Sequence, residues 1–115
     1  MKDKRKTWFL DFDGTIVDQK SYVLKKDYVL SSAKEFFDKK VSADDIVVIT
    51  TAREEKHKSR IKKFMKENNF KCDVILCEMS AGIRILVNDE KPDGTKTAYA
   101  YNVKRNKGID IKELI

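Results

Sequence analysis

Two carboxylates two residues apart, Asp11 and Asp13, follow the apolar run Trp8-Phe9-Leu10 and lead at once into Gly14. Residues i and i+2 of a strand share a face, so a strand ending here sets both acids toward one site, and Gly14 lets the chain bend away. Close carboxylates repel each other, and a hard, oxygen-seeking cation such as Mg²⁺ relieves that repulsion. Asp-Gly also closes many strands with no chemistry attached, so the pair acquires meaning only from what accompanies it.

The elements that must position these acids follow from hydrophobic patterning. Thr7 to Leu10 reads as a central strand covered on both faces. Residues 16–29 are mixed and polar, a loop or small hairpin. Ser32-Ala33-Lys34-Glu35 has capping-box spacing ahead of the helical recurrence Ala33, Phe36, Phe37. The β-branched run Ile46-Val47-Val48-Ile49 predicts a second strand ending at Thr50-Thr51. Between Glu54 and Asn69, Ile61, Phe64 and Met65 among lysines predict an amphipathic helix. Val74-Ile75-Leu76 reads as a third strand and Ile83 to Val87 as a fourth, ending at Asn88-Asp89; Ala98 to Val103 is a further candidate strand of open direction. Apolar runs alternating with helical segments imply an α/β fold with a mostly parallel sheet and right-handed crossovers. In such sheets the ligand crevice lies beyond the carboxyl ends of the strands, where Asp11/Asp13, Thr50/Thr51 and Asn88/Asp89 are expected to converge.

A chain of 115 residues is expected to form one domain, residues 1–115, with no room for a separate cap domain. The net charge of +6 suits phosphorylated ligands through a diffuse field. Nucleic acid answers to the same charge, but no basic stripe interleaved with aromatics occurs, so a solvated lysine-rich surface is favoured over a nucleic-acid interface. Cys72 and Cys77 have no second Cys/His pair and read as reduced thiols rather than half of a zinc site. His57, the one histidine, falls among lysines and glutamates and reads as a surface residue. Trp8 and Phe9 are core candidates; Tyr99 and Tyr101 share a face if a strand runs through them, and packing is the favoured role. The basic amino-terminal residues lead into no apolar segment of signal-peptide type, and no apolar run reaches about 18 residues. Neither export nor a membrane span is expected, and the expected compartment is the cytoplasm.

Asp11-Phe12-Asp13-Gly14-Thr15-Ile16 resembles the first motif of the haloacid-dehalogenase-like hydrolases, and the order of the remaining parts extends the resemblance from about Thr7 to Asn106. The resemblance implies a Rossmann-like three-layer sandwich without a cap. It makes Asp11 the nucleophile and Asp13 the general acid/base. Thr51 becomes the phosphoryl-binding residue of the second motif, with Thr50 the alternative one register away. Asp89 becomes the acid that completes a Mg²⁺ site with Asp11 and Asp13, and Asp93 falls at an Asp-x-x-x-Asp spacing seen in some members. Gly14, Thr15, Arg53 and Arg84 join Thr50 as candidate substrate-binding residues. The segment Asn88-Asp89-Glu90-Lys91-Pro92 looks like that of small, capless members. The third-motif Lys or Arg has no counterpart in Cys77-Glu78-Met79-Ser80-Ala81-Gly82, which leaves Arg84, Lys91 or Lys58 to supply a cation, Lys91 being the catalytic candidate.

The resulting expectation is a Mg²⁺-dependent phosphomonoester hydrolase working through an aspartyl-phosphate. Its open cleft would admit a small phosphorylated molecule or a macromolecule: a sugar phosphate, a phosphoprotein or a polynucleotide end. Similarity of the Asn-Asp-x-Lys-Pro segment to small proteins of bacterial surface-polysaccharide gene neighbourhoods favours a sugar phosphate. The competing expectation is a domain of the same fold that binds phosphorylated or nucleic-acid ligands without turnover. Nothing in the sequence addresses oligomeric state.

Overall fold

The computed structural model describes residues 4–115. Its centre is an open, parallel sheet of three strands, β1 (Thr7–Asp11), β2 (Ile46–Thr50) and β3 (Val74–Leu76), in the order β1-β2-β3. Around it lie a single helical turn α1 (Ser21–Leu24) and the helices α2 (Ala33–Lys39) and α3 (Lys58–Glu67). The chain is therefore mixed α/β, and each parallel connection carries one of the longer helices, as parallel pairing requires.

Register divides the sheet into two unlike faces. Trp8 pairs with Val47, Leu10 with Ile49, and Ile49 with Ile75, so these side chains share one face. That face meets Ala33, Phe36 and Phe37 of α2 and Ile61 and Met65 of α3 in the main core. Aromatic contacts tie the helices together: Phe37 stacks on Phe70 with ring centroids 4.5 Å apart, and Phe70 meets Phe64 edge-on at 6.2 Å. The opposite face carries Phe9, Val48 and Val74. Val48 and Thr50 are buried there, but Phe9 is 55% exposed and Val74 and Leu76 also face solvent. The expectation that β1 is covered on both faces is thus corrected, and with it Phe9 as a core residue. An uninterrupted apolar run does not say which side is covered. Trp8 does pack against the core, edge-on to Phe36 at 5.1 Å.

Asp45 fixes the start of the sheet. Its side chain, in a residue only 1% exposed, accepts hydrogen bonds from Lys6 N–H (2.9 Å), the Trp8 indole N–H (3.0 Å) and Ser42 N–H (3.0 Å). Burial works against this carboxylate's charge, but the three donors and the nearby Lys6 charge outweigh it and hold the group below the usual carboxylate range.

Three further expectations change. Ser32 precedes α2 but does not cap it; its hydroxyl accepts the backbone N–H of Ile109 at 2.8 Å, so the capping-box reading gives way to a long-range tie. Residues 83–87 form no strand: Ile83, Ile85 and Val87 are exposed, and a segment without a ladder partner has no reason to hold strand geometry. Residues 98–103 are likewise irregular. The turn at 88–97 closes on itself through bonds from Lys91 N–H to the Thr95 carbonyl (2.9 Å) and from the Asn88 amide to the Thr97 hydroxyl (2.8 Å). Among the described residues no helix is long and apolar enough to cross a membrane. Cys72 and Cys77 are free thiols.

Candidate active site

Asp11 ends β1 directly opposite Thr50 at the end of β2, so the pairing of two parallel strands brings the first two sequence signals together at one edge of the sheet. Past Asp11 the chain coils tightly. Phe12 is fully buried, and its carbonyl accepts the N–H groups of Thr15, Ile16 and Val17. Gly14 adopts φ +88°, a conformation that suits glycine. The buried alternation Leu10, Phe12 thus leaves Asp11 and Asp13 to project on the other side of the backbone, where both line a pocket of about 250 Å³ with Gly14, Thr15, Gln19, Val103 and Arg105.

The two acids have unlike surroundings. Asp11 is half-exposed, accepts a hydrogen bond from the Thr15 hydroxyl at 3.1 Å, and has the Arg84 guanidinium 3.9 Å away. Burial pushes its carboxyl above the usual value; the Thr15 bond and the Arg84 charge pull it back, and the Asp13 charge adds to the upward push. Asp13 is gripped instead. Arg53 donates to both its oxygens, Nε at 2.9 Å and Nη2 at 2.7 Å, a fork geometry that arginine alone provides. Thr51 lies beside this pair, 1% exposed, its hydroxyl oxygen accepting the Arg53 backbone N–H at 3.1 Å.

The predicted site residues therefore divide. Asp11, Asp13, Gly14 and Thr15 meet at the pocket, Thr50 and Thr51 adjoin it at the end of β2, and Arg84 reaches Asp11 from the irregular segment. Arg53 lies behind the pocket wall, bound to Asp13 and Asp27. Asp89 and Lys91 do not line the pocket and belong to the exposed turn, where the Asp89 carbonyl accepts the Thr97 hydroxyl. Asp93 caps the same turn through Thr95 N–H at 2.9 Å. Lys58, on α3, pairs with Glu55 at 3.4 Å. His57 packs edge-on against Tyr22 at 5.2 Å, half-buried rather than fully exposed.

Gln19, Val103 and Arg105 line the pocket with no signal in the sequence, and of these Arg105 brings a charge. It runs alongside Gly14, with its Cγ 3.3 Å from where a Cβ on that glycine would stand. The placement is enforced by its neighbour: Asn106 N–H donates to the Gly14 carbonyl at 2.8 Å, and the Asn106 side chain accepts Gln19 N–H at 2.8 Å. A pairing across 87 positions leaves no local signal.

Among the described residues no group of three or more His, Cys, Asp or Glu side chains could hold a metal ion. Mg²⁺ seldom asks for so many: it binds through one or two carboxylates and fills its octahedron with water and substrate phosphate oxygens. The half-exposed Asp11 carboxylate on an open pocket fits that donor set, and Asp13, its oxygens already accepting from Arg53, adds a second acid beside it. Comparison of the chain with family models, curated proteins and solved structures gives no match.

Proposed function

We propose that the protein is a Mg²⁺-dependent phosphomonoester hydrolase acting through an aspartyl-phosphate on Asp11, in a Rossmann-like domain without a cap. The observation that carries this reading is the convergence of Asp11 and Asp13 on one small pocket with Thr15, Gly14 and Arg105. Two acids and a guanidinium around a space of this size suit a phosphate group: one carboxylate to attack, one to handle a proton, and an arginine to bind the oxygens.

An Asp11 oxygen attacks phosphorus, the bond from phosphorus to the ester oxygen breaks, and protonated Asp13 gives its proton to the departing alkoxide. Water then attacks the acyl-phosphate while Asp13 takes a proton from it; the bond between phosphorus and Asp11 breaks and inorganic phosphate leaves. Arg105 and Arg84 take the place of the missing third-motif cation, Arg105 toward the phosphate and Arg84 toward Asp11. Thr15, whose hydroxyl already donates to Asp11, is a hydroxyl donor at the reacting centre, and Thr51 is the phosphoryl-binding candidate at the end of β2. Asp11, with Asp13 beside it, would hold Mg²⁺, and the bound ion would supply the charge neutralisation that lets a phosphate dianion approach a carboxylate. Asp89 carries no part in this reading. A sugar phosphate is the favoured substrate class, on the resemblance of residues 88–92.

The test is phosphate release from a panel of phosphomonoesters with and without Mg²⁺. Turnover that requires the metal is expected, with loss of at least ~10³-fold in Asp11→Asn because the nucleophile is removed. Metal-independent turnover, or turnover retained by Asp11→Asn, would overturn the assignment. The non-catalytic alternative predicts no release from any ester and a steep fall of nucleic-acid affinity with salt.

A further inference from the structure

From Asp13 on the pocket wall a chain of four charges runs inward, and the reaction above uses only its first member. Arg53 is almost wholly buried, its side chain 2% exposed, with its guanidinium carbon 4.9 Å from the Phe12 ring centroid and 5.3 Å from that of Tyr22. Its Nη2 is shared between Asp13 (2.7 Å) and Asp27 (2.9 Å). Asp27, with a side chain 5% exposed, is held on its other side by Arg60, which donates Nε at 3.1 Å and Nη2 at 3.0 Å and also bonds the Ser21 carbonyl at 2.9 Å. The order Asp13, Arg53, Asp27, Arg60 therefore runs from the pocket through the loop after β2 and residues 21–28 to α3, with alternating sign and no net charge.

Such a chain is a poor device for stability alone. Arg53 and Asp27 are held almost wholly out of water, with side chains 2% and 5% exposed, and apolar residues of similar volume often serve a fold as well as or better than such buried charges. What it supplies is direction. A carboxylate on a turn has a free χ1 and χ2, whereas Asp13 has both oxygens fixed by one rigid fork that is itself fixed by Asp27 and by two aromatic rings. The Arg53 Nη1 atom, buried and without a hydrogen-bond partner among the described residues, shows that the guanidinium is oriented by its Nε/Nη2 edge.

We propose that Asp27 and Arg53 are positioning residues that aim the Asp13 carboxyl at the leaving-group oxygen. The proposal rests on the phosphatase reading above and adds the means by which its acid is held. A misplaced acid penalises esters whose leaving alkoxide needs a proton and spares those whose leaving group departs as a stable anion. A purely structural defect slows both alike.

The test compares an alkyl ester, glycerol phosphate, with p-nitrophenyl phosphate in wild type, Asp27→Asn and Arg53→Lys, alongside crystal structures of wild type and Asp27→Asn. Expected is a loss of about 10–100-fold on the alkyl ester, the scale of misplacing a catalytic group, and less than about 3-fold on the aryl ester. Lysine should not rescue Arg53, since it lacks the fork. Asp13 should hold one orientation in wild type and several in Asp27→Asn. Should Asp27→Asn fail to fold, Arg60→Gln, at a side chain 25% exposed, carries the same comparison. Equal losses on both esters, or an Asp13 unmoved in the variant, would overturn the positioning role. A wild type inert toward every ester would instead overturn the phosphatase reading, and the crystal structures would then decide whether the chain of charges orients Asp13 at all.

Discussion

Replacing Asp45 by alanine should cost far more than the loss of one side chain of its size. Its two oxygens collect the N–H groups of Lys6, Trp8 and Ser42, so one substitution leaves three donors without an acceptor at the point where β1 and β2 start. Hydrogen bonds to a charged acceptor contribute about 1.5–3 kcal/mol each, and these donors lie near enough to solvent for water to recover part of that, which leaves a net cost of about 3 kcal/mol. In a domain of this size each kcal/mol shifts Tm by about 4 °C, so a fall of about 12 °C is expected. Asp45→Asn, which keeps one oxygen acceptor, should fall about half as far. The pH dependence has a definite sign. The folded carboxyl is held below its unfolded value, so its contribution is present above the ordinary carboxylate range and is lost as pH falls through the folded pKa. Thermal melts of wild type and both variants at pH 7, 5 and 3 should therefore show the largest gap at neutral pH and a shrinking gap in acid. A gap that is equal at pH 7 and pH 3, or an alanine variant within about 1 kcal/mol of wild type, would refute the reasoning.

Gly14→Ala should be destabilising by about 1–2 kcal/mol in urea melts, because φ +88° strains an L-residue and the new Cβ would stand 3.0 Å from the Gln19 side-chain oxygen. Arg105→Ala should raise KM for a phosphomonoester about 10-fold or more while leaving Tm within about 2 °C, as expected for a charge-assisted contact made with ligand; an unchanged KM would remove Arg105 from the site. Asp11→Asn should melt higher than wild type at pH 7 although it loses activity. Burial raises the Asp11 carboxyl above its unfolded value, so the ionised form opposes folding at neutral pH and the gain should vanish in acid as both states protonate. A lower melting point for Asp11→Asn at pH 7 would contradict that account.

The parts of this fold that were legible in sequence are those governed by local pattern. Val47 and Ile49 announce a buried strand by β-branching alone, and Ile61 with Met65 marks the buried stripe of α3. Asp11, Asp13 and Gly14 are equally local, since strand parity and one glycine turn determine how they meet. What escaped depends on distant partners. Ser32 has the spacing of a cap, yet its hydroxyl is taken by Ile109 N–H, 77 positions away. Phe9 and Leu10 look alike in sequence and differ only in which sheet face the helices cover. Ile83 to Val87 has strand composition, but composition does not supply a neighbouring edge. Arg105 and the Asp27–Arg60 pair sit in segments without any motif; only folding brings one to the pocket and the other to the back of Asp13.

The most direct measurement is chemical trapping of the intermediate. Wild-type protein mixed with Mg²⁺ and a turned-over ester, quenched in acid and reduced with borohydride, should yield a peptide in which Asp11 has become homoserine, since an acyl-phosphate is reducible and a free carboxylate is not. The account predicts this product at Asp11 alone, absent without substrate. Phosphate release with Asp11 unmodified, or trapping at any other carboxylate, would contradict it.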